Sequence, residues 1–305
     1  MKGISLVKIN TIAIIGTGDM GHSVGRALIK EGFRVITALI GRSERSCKLA
    51  RLGGLEDVGS LENLIKGSDL FLSIMPPDEA LRFASLSCNI IDESGSKTLY
   101  ADFNAIAPST SKKIEELFSK VGLPFIDGSI IGPPPGKNII TRMYSSGAES
   151  KTLQSLSGPN LQFLSLGSEI GRASALKMCY AALTKGTMAL DLAALLAGKK
   201  MGVYEELKTE FINSQEAAYG RMEARLPWLS TDAGRWSGEM DEIASSFEAV
   251  GLPAGFHLAA SDIYRRLANT SLAQEKPENK DKSRTLDQVL DIFQYELFSS
   301  TNVSD

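Results

Sequence analysis

The feature that most limits what this chain can become is a short loop, Gly16-Thr-Gly-Asp-Met-Gly21, set between a strand pattern and a helix pattern. Thr11-Ile-Ala-Ile-Ile15 before it is β-branched and nearly all apolar, the character of a strand buried on both faces. Met20 to Lys30 after it has helical period and is closed by Gly32. Each glycine has a separate task in such a strand–turn–helix. Gly16 permits the tight turn, Gly18 lets the backbone approach a pyrophosphate, and Gly21 lets the helix lie close to the sheet. The helix start offers unpaired N–H groups and a partial positive charge to phosphate. A dinucleotide site is therefore expected at Gly16, Thr17, Gly18, Asp19, Met20 and Gly21.

The alternation continues through the first half. Strands are expected at Phe33 to Ile40, Leu70 to Met75, Thr98 to Phe103, Leu123 to Ile126, Ile140 to Ser145 and Leu161 to Leu166. Helices are expected at Ser43 to Leu52, from Ser60, at Asp78 to Ser87 and at Ser109 to Val121. Strand–helix alternation implies parallel pairing with right-handed crossovers, hence an α/β, doubly wound sheet of Rossmann type. After Gly167 only helical period remains: Ile170 to Met201, Tyr204 to Ala224, Trp236 to Val250, Ala254 to Asn269 and Leu286 to Phe298. Residues 1–167 thus read as a dinucleotide-binding domain and 168–305 as an all-α domain for substrate and dimerisation, with a charged loop at Gln274 to Ser283.

Composition narrows the function. With 305 residues, 43% hydrophobic and 23% charged, the chain has a globular balance and can build cores without metal or disulfide staples. A net charge of -3 argues against a broad nucleic-acid surface. Cys47, Cys88 and Cys179 lack metal-ligand spacing and suit a reducing compartment. No uninterrupted apolar run has membrane-spanning length, and Met1 to Asn10 lacks the pattern of a signal peptide. A cytoplasmic protein acting on a small molecule, with neither nucleic acid nor membrane as partner, is expected.

The end of the second strand selects the cofactor. An NAD site places Asp or Glu there to bind the ribose 2′-hydroxyl. Here Leu39-Ile-Gly-Arg42 carries no carboxylate, and Gly41-Arg-Ser-Glu-Arg-Ser46 supplies guanidinium and hydroxyl groups instead. Arg42, Ser43 and Arg45 suit a 2′-phosphate, so NADP(H) is expected rather than NAD.

Over residues 11 to 200 the chain resembles the β-hydroxyacid dehydrogenase family, which includes 3-hydroxyisobutyrate and 6-phosphogluconate dehydrogenases. Gly16 to Gly21 is similar to the family's GxGxMG loop. Met75-Pro76-Pro77 sits where the family has an apolar turn below the nicotinamide, and Asp102-Phe-Asn104-Ala-Ile-Ala-Pro108 resembles its turn with a polar residue near cofactor and substrate. Asp127-Gly-Ser-Ile-Ile-Gly132 resembles the substrate segment, and Gly171-Arg-Ala-Ser-Ala-Leu-Lys177 the interdomain helix with the catalytic lysine. The resemblance implies an NADP(H)-dependent oxidoreductase acting on CH–OH groups, with its site in a cleft between the domains. Lys177 would be the general acid/base, its charge reduced by partial desolvation on an apolar helix. Asn104 and the backbone of Ser129, Ile130, Ile131 and Gly132 would hold substrate.

The chain also departs from the family. Ala181 stands where the family has Asn, which leaves Tyr180 as a hydroxyl donor. Glu239, in Glu239-Met-Asp-Glu242, stands where the family often has a closing Lys and is a candidate to line the cavity. Pro133-Pro-Pro135 removes N–H donors, pointing to a larger or less charged substrate than a short hydroxy acid. His22, His257, Trp228 and Trp236 read as structural. Two alternatives stand beside the dehydrogenase: imine reduction on the same fold, against which Lys177 counts, and a non-catalytic dinucleotide-binding protein. The apolar face around Ala189 to Leu196, with the family resemblance, leads to an expected homodimer through the helical domain.

Overall fold

The computed structural model describes residues 8–276 and 278–298. The absence of a leader pattern in Met1 to Asn10 falls, for residues 1–7, outside the described residues, as does Pro277 of the charged loop. Two compact units part after Met178, inside the first long helix, whereas the strand pattern already ends near Gly167.

The first unit alternates β1 (Thr11–Ile15), α1 (Asp19–Lys30), β2 (Arg34–Thr37), α2 (Glu44–Gly53), β3 (Glu56–Asp57), α3 (Leu61–Lys66), β4 (Leu70–Ser73), α4 (Ala80–Ser94), β5 (Leu99–Asp102), α5 (Pro108–Lys120), β6 (Phe125–Ile131), β7 (Thr141–Ser146) and β8 (Leu161–Ser165). These strands form one sheet in the order β3-β2-β1-β4-β5-β6-β7-β8. The first six are parallel, so the doubly wound expectation holds. β7 runs antiparallel to β6, because the 132–140 link is shorter than the dozen or so residues a crossover needs. β3 escaped the sequence pattern: it is two acidic, exposed residues, held by backbone pairing with β2, by Arg34 on Glu56, and by the Leu39 and Gly59 N–H groups on Asp57.

Alternate residues of each inner strand enter opposite cores. Ile12 and Ile14 pack with Val24 and Leu28 of α1 and Ala50 of α2. Ala13 and Ile15 pack with Leu64 of α3, Phe83 of α4 and Phe118 of α5. Both faces are therefore covered, as a parallel sheet requires.

One register row fixes the carboxyl edge of the sheet. Ile15 of β1, Ser73 of β4, Asp102 of β5, Asp127 of β6 and Ser146 of β7 are successive partners across it. The chain reverses direction across the sheet between β1 and β4, so ligands are expected in the crevice beyond this row. β6 alone among the parallel strands continues well past it, to Ile131, about 13 Å farther at the usual strand rise.

Asp127 uses that position to hold the next element, α6 (Arg172–Met201). Its Oδ2 accepts from the backbone N–H groups of Gly171, Ala173 and Ser174 at 3.0, 3.0 and 3.1 Å. It also accepts from Ser146 Oγ at 2.8 Å, while Oδ1 accepts from Ser174 Oγ. A buried carboxylate thus satisfies the orphan donors of a helix start and meets the positive end of its dipole. By length and composition alone α6 is long and apolar enough to cross a membrane, although Lys177, Lys185 and Asp191 interrupt its apolar run.

The second unit carries the rest of α6, then α7 (Tyr204–Ser214), α8 (Glu216–Arg225), α9 (Leu229–Glu248), α10 (Gly255–Leu267) and α11 (Leu286–Phe298). The helix expected from Tyr204 to Ala224 breaks at Gln215, and Phe211 stacks on Tyr219 across the break. α9 and α10 lie together, with Trp236 edge-on to Tyr264 and Phe247 edge-on to His257. Asp127→Ala should lower the unfolding free energy by about 3 kcal/mol or more, since it strands several buried donors; a urea midpoint equal to wild type would remove Asp127 from this role.

Candidate active site

The glycine loop takes the shape its sequence requires. Gly16 has φ +87°, and a Cβ there would lie 2.0 Å from the Ile74 carbonyl oxygen, so the loop and the end of β4 touch through backbone. A Cβ on Gly21 would lie 2.1 Å from the Gly16 oxygen, which is how closely α1 meets the turn. Nothing lies within 4 Å of the Cβ position of Gly18, so the loop is open at the one place where a pyrophosphate must approach. Gly18 begins α1 with no side-chain cap, leaving its first N–H groups for an anion. Thr17 is buried and its hydroxyl donates to the Ser46 carbonyl at 3.2 Å, tying the loop to α2. Met20 packs into the core and His22 Nδ1 meets the Gly18 carbonyl at 2.7 Å. These residues fit a dinucleotide.

The residues expected at the 2′-phosphate divide. Ser43 caps α2, its Oγ accepting from Ser46 N–H at 3.2 Å and donating to Ser46 Oγ at 3.0 Å. Arg45 reaches back to the glycine loop, where its Nη2 meets Asp19 Oδ1 at 2.7 Å. Among the described residues, the Arg42 guanidinium has no hydrogen-bond or ion-pair partner.

Asn104 corrects the expectation placed on it. It is 2% exposed and fully committed: Oδ1 accepts from Met75 N–H, while Nδ2 donates to Ser73 Oγ at 3.0 Å and Asp102 Oδ2 at 2.8 Å. Asn104 therefore shapes the turn after β4 rather than offering a free amide to a ligand. On that turn Met75 is half-buried, Pro76 exposed and Pro77 buried. Asp102, which anchors Asn104, is buried. Burial pushes its carboxyl up to about 7; Asn104 hydrogen bonds oppose that push and the nearby Asp127 charge adds to it.

The substrate segment is also less open than its sequence suggests. Ser129, Ile130 and Ile131 are strand residues opposite Tyr144, Met143 and Arg142 rather than a loop, while β5 stops at Asp102 and leaves the other side of this stretch without a strand partner. Ser129 Oγ is buried and without a hydrogen-bond partner among the described residues, whereas Gly132 is exposed with φ +117°. The Ile130 carbonyl does carry a function: it accepts from Lys177 Nζ at 2.8 Å. Lys177 is half-buried, one turn beyond the α6 start that Asp127 holds. Its amine consequently lies on the carboxyl side of the polar row, beside the part of β6 that outruns β5.

Two expected residues belong to the second unit. Tyr180 is 46% exposed. Glu239 is buried, paired with the equally buried Lys185 and, at 2.6 Å, with Arg235. Its charge is compensated within its own unit, so it is not an unpaired acid awaiting a cation. Lys185, which no motif in the sequence marks, also has its Nζ 5.3 Å from the centroid of the Trp236 ring.

Fold and site together define a dinucleotide-binding oxidoreductase, and comparison with known proteins agrees. Residues 11–157 match the NAD binding domain of 6-phosphogluconate dehydrogenase, and residues 199–267 match a domain of unknown function, DUF1932. An uncharacterized 28.5 kDa protein of Methanothermus fervidus is 30% identical over 64% of this chain and 74% of its own. A 3-hydroxyisobutyrate dehydrogenase of Pseudomonas aeruginosa is 24% identical over 86% of both chains. The 3-hydroxyisobutyrate dehydrogenase of Mycobacterium tuberculosis shares the fold, with TM-score 0.65 and 16% identity over 94% of this chain and 100% of that one. So does an imine reductase of Myxococcus stipitatus solved with NADP+, with TM-score 0.55 and 18% identity over 84% and 93%. The chain belongs to the β-hydroxyacid dehydrogenase family.

Asp102 makes stability depend on pH in a definite sense. In the unfolded chain its carboxyl releases the proton near the ordinary value of about 4, in the folded chain near 7. The folded state therefore holds the extra proton between those values, and this contribution is full below pH 4 and lost as pH rises to 7. Against Asp102→Asn, wild type should lose on the order of 2 kcal/mol of relative stability between pH 5 and 8 in urea titrations; parallel profiles would contradict this.

Proposed function

We propose that the protein is an NADP(H)-dependent oxidoreductase that interconverts a hydroxyl-bearing acid, or a related carbonyl compound, with Lys177 as general acid/base. The observation that carries this is the Lys177 amine, fixed on the Ile130 carbonyl at the carboxyl edge of a sheet whose glycine loop suits a dinucleotide. A bound nicotinamide supplies or accepts the hydride. Gly16, Gly18 and the uncapped start of α1 would hold the pyrophosphate, and Arg42 favours the 2′-phosphate of NADP(H).

The Ile130 carbonyl accepts one N–H of Lys177 and so fixes where the amine stands. In oxidation, the neutral amine takes the hydroxyl proton as the carbonyl forms. In reduction, the ammonium returns a proton to that oxygen. Asp127 holds α6, and so Lys177, in register with β6; Asn104 holds the turn between β4 and the glycine loop. The Pro133-Pro-Pro135 run offers no backbone donors to a carboxylate, which favours a substrate bulkier or less charged than a short hydroxy acid. That same feature keeps imine reduction as the second reading. The lysine tells them apart, since a hydroxyl needs a base that an imine does not.

Lys177→Ala should retain NADPH binding within about threefold and lose roughly 10²–10⁴-fold in turnover of hydroxy acids. Turnover at the wild-type level would overturn the mechanism. An assay set of short hydroxy acids, sugar acids and cyclic imines would locate the substrate, and activity confined to the imines would decide for the second reading. We further propose a homodimer through the helical part, because α6 leaves Leu183 and Leu190 exposed seven residues apart on one face. Light scattering at micromolar concentration should give twice the mass of one chain, and a monomer would refute it.

A further inference from the structure

Asp19 is an acid placed where an anion is to bind. It is the first residue of α1, directly after the open Gly18, among the N–H groups that suit a pyrophosphate. A carboxylate there favours the helix but disfavours a phosphate beside it. Arg45 meets it from α2 at 2.7 Å, across 26 positions of sequence. The Asp19 side chain is exposed at 51% and that of Arg45 partly so at 31%, and pairs this open to solvent contribute little to folding. Stability is therefore a poor reason for an Arg–Asp pair at the mouth of this loop.

We infer that Arg45 serves to neutralise Asp19, and so permits a pyrophosphate at the loop, rather than to read the 2′-phosphate. That reading falls to Arg42, whose guanidinium has no partner among the described residues, while Ser43 is occupied in capping α2. Arg45 and Asp19 are positioning residues common to both nicotinamide dinucleotides, and Arg42 is the residue that distinguishes them. The inference rests on the dinucleotide reading of the site but not on the identity of the substrate or the role of Lys177.

The geometry implies a pattern across four variants. Removing Arg45 exposes the Asp19 charge to any pyrophosphate, so NADPH, NADH and ADP-ribose should all bind more weakly, by about the same factor. At an effective dielectric of surface pairs that factor is on the order of tenfold. Removing the Asp19 charge as well should restore binding, because the repulsion is gone. Removing Arg42 should weaken NADPH and leave NADH and ADP-ribose within about twofold.

The experiment is calorimetric titration of the full chain with NADPH, NADH and ADP-ribose, at about 20 mM and about 500 mM salt. The variants are Arg45→Ala, Arg45→Ala with Asp19→Asn, and Arg42→Ala, each checked by circular dichroism for wild-type folding. A uniform loss in Arg45→Ala that shrinks at high salt and is rescued by Asp19→Asn supports the inference. A loss confined to NADPH in Arg45→Ala, or a uniform loss that Asp19→Asn fails to rescue, overturns it. Wild-type protein that binds none of the three overturns the dinucleotide reading itself. Wild-type protein that prefers NADH overturns only the assignment of Arg42, because the Arg45 and Asp19 pattern is read equally well with NADH.

Discussion

The buried carboxylate of Asp127 is the contact on which the arrangement depends. It stands in the sheet row where β1, β4 and β5 give way to loops, and it accepts the N–H groups that open α6. A helix start has several unpaired donors, and burying them without an acceptor is costly. Asp127 removes that cost and sets where the helix begins. One turn later comes Lys177, whose amine then falls on the carbonyl of Ile130, three residues beyond Asp127 along β6. Strand and helix thus diverge from one carboxylate and meet again at one amine.

The same row shows how a parallel sheet can be polar at its functional edge and apolar elsewhere. Ser73, Asp102, Asp127 and Ser146 are all buried there, and each has hydrogen-bonded partners. Asn104 links Ser73, Asp102 and the Met75 N–H, so the turn beside the glycine loop has one geometry. Buried polar groups that are all satisfied make a rigid arrangement, and rigidity is what a hydride-transfer site needs from its walls. Asp102 pays for its depth by taking up a proton near neutral pH.

Much of the fold was legible because its signals are local. Gly16, Gly18 and Gly21 announce a turn, an opening and a close contact, and each fills that place. The apolar runs of β1 and β4 and the caps at Ser43 and Ser60 are likewise properties of neighbouring residues. β3 and the break at Gln215 were not legible, since Glu56-Asp57 has no strand character and the local period continues through residue 215. A signal for Asp127 was present but unread: an acid within an apolar strand, and a long helix opening at Ile170-Gly171 with no capping residue of its own.

The sequence by itself determined the doubly wound sheet, the dinucleotide loop and the family, because these follow from periodicity and from glycines a few residues apart. Tertiary structure alone decided which polar side chains remain available to a ligand. Asn104, Arg45 and Glu239 all looked open in the chain, and each is engaged by a group from 26 to 54 positions away. The reason is physical: a charged or amide side chain that loses water on folding takes whatever partner the fold brings to it, and one-dimensional spacing does not record that partner.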